Sequence, residues 1–178
     1  MRVELKPHPE SSCAAVSKIE VELWRTQSEG LVLRYVAAGK IQDLQIPPFA
    51  HWTRADGLWQ HTCFEAFIRP AGGQAYCELN FSPSSQWAGY TFDRYRDGMR
   101  EARELRPQVE MKYGAGFYEL RACIGRDQLV ASSLSAPWRL ALCAVIEEIG
   151  GEKSYWALAH PPGKPDFHHA DGFALELP

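Results

Sequence analysis

The sequence predicts an all-β protein, an antiparallel β-sandwich of jelly-roll-like form with about ten strands. Three observations carry this. Apolar and polar residues alternate with a period of two along most of the chain, clusters of turn-forming residues separate the alternating runs, and almost no stretch has a helical period. At 178 residues the chain is read as one domain, residues 1–178, large enough to bury a core without disulfide or metal staples.

Taken in order, Ile19, Val21 and Leu23 alternate with Glu20, Glu22 and Trp24, and Leu31, Leu33 and Tyr35 alternate with Val32, Arg34 and Val36. Runs rich in β-branched and aromatic residues predict further strands from Cys63 to Ile68, Ala75 to Phe81, Trp87 to Phe92, Val109 to Tyr113 and Phe117 to Ile124. Arg139 to Ile146, Ser154 to Ala159 and Phe173 to Leu177 complete the set. Arg69-Pro70-Ala71-Gly72-Gly73, Ser82-Pro83-Ser84-Ser85 and Gly114-Ala115-Gly116 supply turns between successive strands. Two stretches have helical features. Asp93 to Arg106 spaces charges for helical pairing, Asp97 with Arg100 and Arg100 with Glu104, although Gly98 interrupts it and a polar crossover is the alternative. Arg126 to Ala131 is long enough for one helical turn.

Composition excludes several classes. The net charge of −3 implies neither a nucleic-acid nor a polycation partner. The longest apolar run, Leu140 to Ile146, is far short of the ~20 residues of a membrane-spanning helix. The first residues carry no apolar stretch of the secretory kind, so a cytoplasmic location is expected. Five cysteines without paired spacing fit free, buried thiols. No P-loop, GxSxG elbow or HExxH motif is present, so no catalytic residue is assigned and the protein is not expected to be an enzyme. The arginines Arg94, Arg96, Arg100, Arg103 and Arg106 are interleaved with Asp93, Asp97, Glu101 and Glu104, which reads as a solvated face.

Two clusters carry chemistry. In the predicted strand after Trp59, Phe64, Ala66 and Ile68 face the core, so Glu65 lies on the other face with Cys63 and Phe67. In the next strand Tyr76, Glu78 and Asn80 share one face. Carboxylates and an amide framed by the indoles of Trp59 and Trp87 suit a polyol, since rings stack on its C–H face while polar groups bind its hydroxyls. The alternative is that both tryptophans plug the ends of the sandwich. The second cluster, His160-Pro161-Pro162-Gly163-Lys164-Pro165-Asp166-Phe167-His168-His169, offers His160, Asp166, His168 and His169 as metal ligands. It reads equally as a pocket wall or as a Pro-stiffened loop whose polar groups satisfy its own backbone.

Leu58-Trp59-Gln60-His61-Thr62-Cys63-Phe64-Glu65 resembles the Trp-x5-Glu strand of family 9 carbohydrate-binding modules and of the wider DOMON-like superfamily. Tyr76 to Pro83, Trp87 to Asp93, Tyr118 to Leu129 and Lys164-Pro165-Asp166-Phe167-His168 with Phe173 are similar to its later strands and closing segment, so that residues 18–177 are covered. The closest fit is to stand-alone bacterial DOMON-like proteins with a family 9-like fold. The resemblance implies a β-sandwich in which two aromatic rings hold a terminal sugar while Glu and Asn side chains bind its hydroxyls. Trp59 and Glu65 match that pattern. Trp156, Phe167 and Trp87 are candidates for the second ring. Other DOMON-like domains bind haem through Met and His, but no matching motif surrounds Met99 or Met111, so no cofactor is expected.

The resulting expectation is non-catalytic binding of a small carbohydrate-like ligand by Trp59, Glu65, Asn80, Trp87 and His168, with no metal, no nucleic acid and no membrane. Two rival readings remain open: a metal-dependent hydrolase centred on His160, Asp166, His168 and His169, and an interaction module without a small ligand.

Overall fold

The computed structural model describes residues 1–26, 30–134 and 136–178. The strands are β1 (Arg2–Pro7), β2 (Val16–Thr26), β3 (Gly30–Gly39), β4 (Cys63–Pro70), β5 (Tyr76–Phe81) and β6 (Trp87–Phe92). They continue with β7 (Arg100–Glu101), β8 (Gln108–Gly114), β9 (Phe117–Ile124), β10 (Trp138–Glu147), β11 (Lys153–Ala157) and β12 (Leu175–Leu177). A single α-helix among the described residues, α1 (Arg126–Ala131), occupies the predicted helical turn.

Hydrogen bonding runs continuously in the order β7-β6-β5-β4-β10-β11-β1-β2-β3-β9-β8, with β12 added on β10 and every pairing of named strands antiparallel. This sheet curls into two layers, as the β-sandwich expectation requires. One layer holds β2, β3, β9 and β8; the other holds β6, β5, β4, β10 and β11. The N-terminal strand bridges them, pairing Val3 with Val21 of β2 at one end and Lys6 with Ala157 of β11 at the other.

The core lies between the layers. Ile19, Val21, Leu23, Leu33, Tyr35 and Leu120 face Phe64, Ala66, Ile68, Leu79, Leu142 and Ala144, and all are essentially inaccessible. The rings of Tyr35 and Phe64 meet across the gap at 5.2 Å, and the Tyr35 hydroxyl donates to the Glu65 carbonyl at 2.8 Å. That bond satisfies the buried phenol while tying one layer to the backbone of the other.

Asp93 to Arg106 is not a helix. It is an irregular crossover containing only β7, and its charges pair through turns: Arg100 bonds Asp93 and Arg94 bonds Asp97, each at 2.6 Å. The helical pairs Asp97–Arg100 and Arg100–Glu104 lose because the apolar stripe that would seat a helix is missing. No disulfide joins the five cysteines; Cys63, Cys77 and Cys143 are buried as expected, whereas Cys13 and Cys123 are only partly so. Among the described residues no helix is long and apolar enough to cross a membrane.

Candidate functional site

Strand alternation places one set of side chains from the β4 layer in the core and the other on its outer face. Register then decides which outward residues meet. Glu65 lies opposite Asn80 on β5 and opposite Cys143 on β10, while Phe67 lies opposite Glu78. Glu65, Glu78 and Asn80 therefore form one polar group on the outer face, with the small neighbours Ala88, Cys143 and Ala157 continuing the row of Glu65 and Asn80. A second, smaller apolar cluster of Phe67, Tyr76, Phe92, Ala141, Cys143, Ala157 and Phe173 borders it. This outer face is covered, not solvated, which explains why β4 is buried on both sides from Cys63 to Ile68.

The covering segment contributes His168. Its Nδ1 is 2.8 Å from the Tyr76 hydroxyl, which already accepts the Arg96 N–H at 3.2 Å. The other ring nitrogen, Nε2, lies 3.5 Å from Glu78 Oε2. Burial, with Arg96 adding to it, holds the His168 pKa down at about 4. Asp166 fixes this segment. Its carboxylate accepts from the Tyr95 hydroxyl at 2.6 Å, from Arg96 at 2.8 Å and from the His168 N–H at 3.1 Å. Burial pushes the Asp166 pKa up, but those donors outweigh it and the carboxyl ends below its ordinary value.

Glu78 and Asn80 are well paired. The Asn80 amide donates to Glu78 Oε1 at 2.7 Å, and the Cys63 thiol approaches Asn80 Oδ1 at 3.8 Å. Glu65 is not. It is 3% exposed, and its Oε1 is buried without a hydrogen-bond partner. Burial first, and then the neighbouring Glu78, push its pKa well above the carboxylate range; burial also raises Glu78, opposed by the Asn80 amide.

Trp59 lies on the turn that leads into β4. Gly57 takes a left-handed conformation, φ 73°, and starts a short 3-10 turn, Leu58–Gln60, that packs against β4 and β5. Immediately after the turn the chain is pinned. The Thr62 hydroxyl donates to the Gln45 carbonyl at 2.9 Å and accepts the Glu147 N–H at 3.1 Å, while His61 Nδ1 lies 2.8 Å from the Glu147 carboxylate. A rigid turn thus presents an indole that is 52% exposed.

Trp59 sits on the turn that leads into β4, and Glu65, Asn80 and His168 belong to the outer face of the β4 layer. Trp87 does not. It pairs with Phe81, whose side chain is in the core, and so points to the opposite face from Asn80. There it is buried against Trp52 at 6.0 Å. Trp156 is likewise a core residue, opposite Ala144, with its indole N–H donating to Ser154 at 3.0 Å. Of the three candidates for a second ring only Phe167 reaches the outer face, against Tyr155 at 6.2 Å. Tyr76 and Glu78 complete the polar group; their alternation with Cys77 and Leu79 was visible, but their meeting with His168 depends on the fold of the closing segment.

The four residues of the metal reading are distributed to separate partners. His160 Nε2 is 2.8 Å from the Lys6 carbonyl, and His169 accepts the Asp171 N–H at 3.3 Å to cap a short turn. Asp166 and His168 are committed as described. Among the described residues no three His, Cys, Asp or Glu side chains gather as a metal-ligand set.

No protein-family model matches the sequence, and no curated protein matches it. Solved structures do. A candidate carbohydrate-binding protein from Bacteroides uniformis superposes with a TM-score of 0.59 at 12% identity, over 86% of this chain and 75% of that one. A family 9 carbohydrate-binding module from Caldicellulosiruptor kristjanssonii in complex with cellotriose gives 0.49 at 13% identity, over 90% and 75%. The glucose complex of a family 9 module from that organism gives 0.46 at 11%, over 86% and 72%. The first of these likenesses shows that the chain shares the β-sandwich fold of that protein.

Proposed function

We propose that this is a non-catalytic β-sandwich that binds a carbohydrate or similar polyol, with Trp59 stacking on the ring and Glu65 hydrogen-bonding its hydroxyls. The observation that carries the reading is Glu65 Oε1, a carboxyl oxygen held in the interior of the molecule with no partner, on the strand that follows the fixed turn bearing the exposed Trp59 indole. An unpaired buried carboxylate oxygen is costly, and a ligand hydroxyl is a donor that would relieve it. Because the oxygen is shielded, the ligand must displace part of its cover on entry. Asn80 and His168 orient the neighbouring Glu78 and form the polar wall of the site. Phe167 is the second ring on this reading. The sugar reading is supported by the resemblance to family 9 and DOMON-like modules and by the fold shared with a candidate carbohydrate-binding protein.

The test is titration of the parent protein and Trp59→Ala with neutral saccharides, by calorimetry and tryptophan fluorescence. The parent is expected to bind in the micromolar to millimolar range, ~4–8 kcal/mol. Trp59→Ala is expected to lose binding while its unfolding free energy falls by under ~1 kcal/mol, since the ring is half-exposed. Undiminished binding by the variant, or a parent silent to the whole panel, removes the reading.

A further inference from the structure

At the far end of β4 a cleft of about 470 Å³ opens between Arg69, Gln74, Arg94, His168, His169 and Phe173. Its cations are unequally satisfied. Arg94 pairs with Asp97 at 2.6 Å and His169 approaches Asp171 at 3.6 Å. Arg69 has no carboxylate partner among the described residues. It stands directly opposite Arg139 on β10, and residues so paired share a face with their Cβ atoms about 5 Å apart. Two like charges in that position repel. Arg139 is relieved by Glu176, and Arg69 is left over. The Arg69 guanidinium is 4.2 Å from the Phe173 ring centre, so the aromatic face fixes its plane and its edge N–H groups remain available. Burial, and then the charge of Arg139, lower its pKa from the ordinary guanidinium value.

We propose that this cleft is a binding site for an anionic group, the carboxylate or phosphate of a small ligand, which Arg69 grips through two parallel N–H bonds above the Phe173 ring. A guanidinium held flat in a concave, partly apolar site and opposed by a second arginine is completed by a planar or tetrahedral oxyanion. The site adjoins the one in the saccharide reading, with His168 in the wall of both, but its anion-gripping group is separate. Arg69 lies four residues along β4 from Glu65, about 13 Å at about 3.3 Å per residue, with the Phe67 and Phe173 rings between them.

The experiment uses the whole chain at low ionic strength, with inorganic phosphate and acetate each compared against chloride at matched ionic strength. Thermal unfolding and calorimetry are the readouts. Phosphate or acetate is expected to raise the melting temperature where chloride does not, and whichever acts more strongly names the class of ligand. Arg69→Gln is expected to weaken that binding by at least about tenfold. The unliganded variant should melt no lower than the parent, because the opposed charges are gone. Arg69→Lys should keep the charge and lose part of the affinity. A parent that responds to anions through Arg69 but to no saccharide leaves this site standing and removes only the sugar reading. Equal effects of chloride, or an undiminished anion response in Arg69→Gln, overturn it.

Discussion

Phe64→Ala is expected to lower the free energy of unfolding by about 3–5 kcal/mol, the range for deleting a fully buried aromatic ring. Phe64 is 1% exposed and is the second layer's contact with Tyr35 at 5.2 Å and with Tyr118, stacked at 6.2 Å. Its strand partners Phe81 and Ala144 face the same core. Urea unfolding of the parent, Phe64→Ala and Phe49→Ala separates burial from mere aromatic content. Phe49 is 77% exposed, so its removal is expected to change stability by no more than about 0.5 kcal/mol. A loss of under 1 kcal/mol for Phe64→Ala contradicts a core built between two layers.

The same pair of residues shows what the sequence makes legible. Phe64 and Glu65 are neighbours with opposite fates, and period-two alternation along Cys63–Pro70 separates them without any structure. Alternation says which residues share a face of one strand; it does not say which face a neighbouring strand presents. Trp87 shows the difference. Its run has aromatic residues at both parities, Trp87 on one and Tyr90 and Phe92 on the other, so only the pairing of Trp87 with Phe81 sends it inward. β1 escaped for another reason. Leu5 is the only buried residue in a strand that otherwise reads as alternating charge, because β1 bridges the two layers at their edges and has little core to face. Asp93 to Arg106 misleads in the opposite sense, since charges at helical spacing are also the charges of a tight crossover. The His168–Tyr76–Arg96–Asp166 chain joins residues up to 92 apart along the sequence, and no local pattern encodes it.

Glu65→Gln is expected to stabilise the protein near neutral pH, because it removes a group that ionises freely in the unfolded chain and is held from ionising by burial in the folded one. Sign follows from linkage. Burial and Glu78 raise the folded-state pKa of Glu65 above that of the unfolded chain, about 4.3. Its contribution to stability is thus fully present below that pH and is lost as pH rises through the folded-state value. His168 works the other way. Its folded pKa of about 4 lies below the ordinary 6.5, so its contribution is present above 6.5 and is lost as pH falls toward 4. Because His168 is common to both proteins, the difference between parent and Glu65→Gln reports the Glu65 carboxyl together with its effect on the facing Glu78. That difference should be small near pH 4.5 and should grow toward pH 8, measured as denaturant midpoints across the range. Glutamine keeps the shape and replaces the ionisable carboxyl by an amide, so the same variant should lose saccharide affinity as it gains stability. That opposition is what a strained ligand-binding carboxylate produces and a structural one does not. Parallel pH profiles for the two proteins, or a variant less stable than the parent at pH 7, would show that Glu65 is an ordinary buried acid whose partner is supplied within the fold.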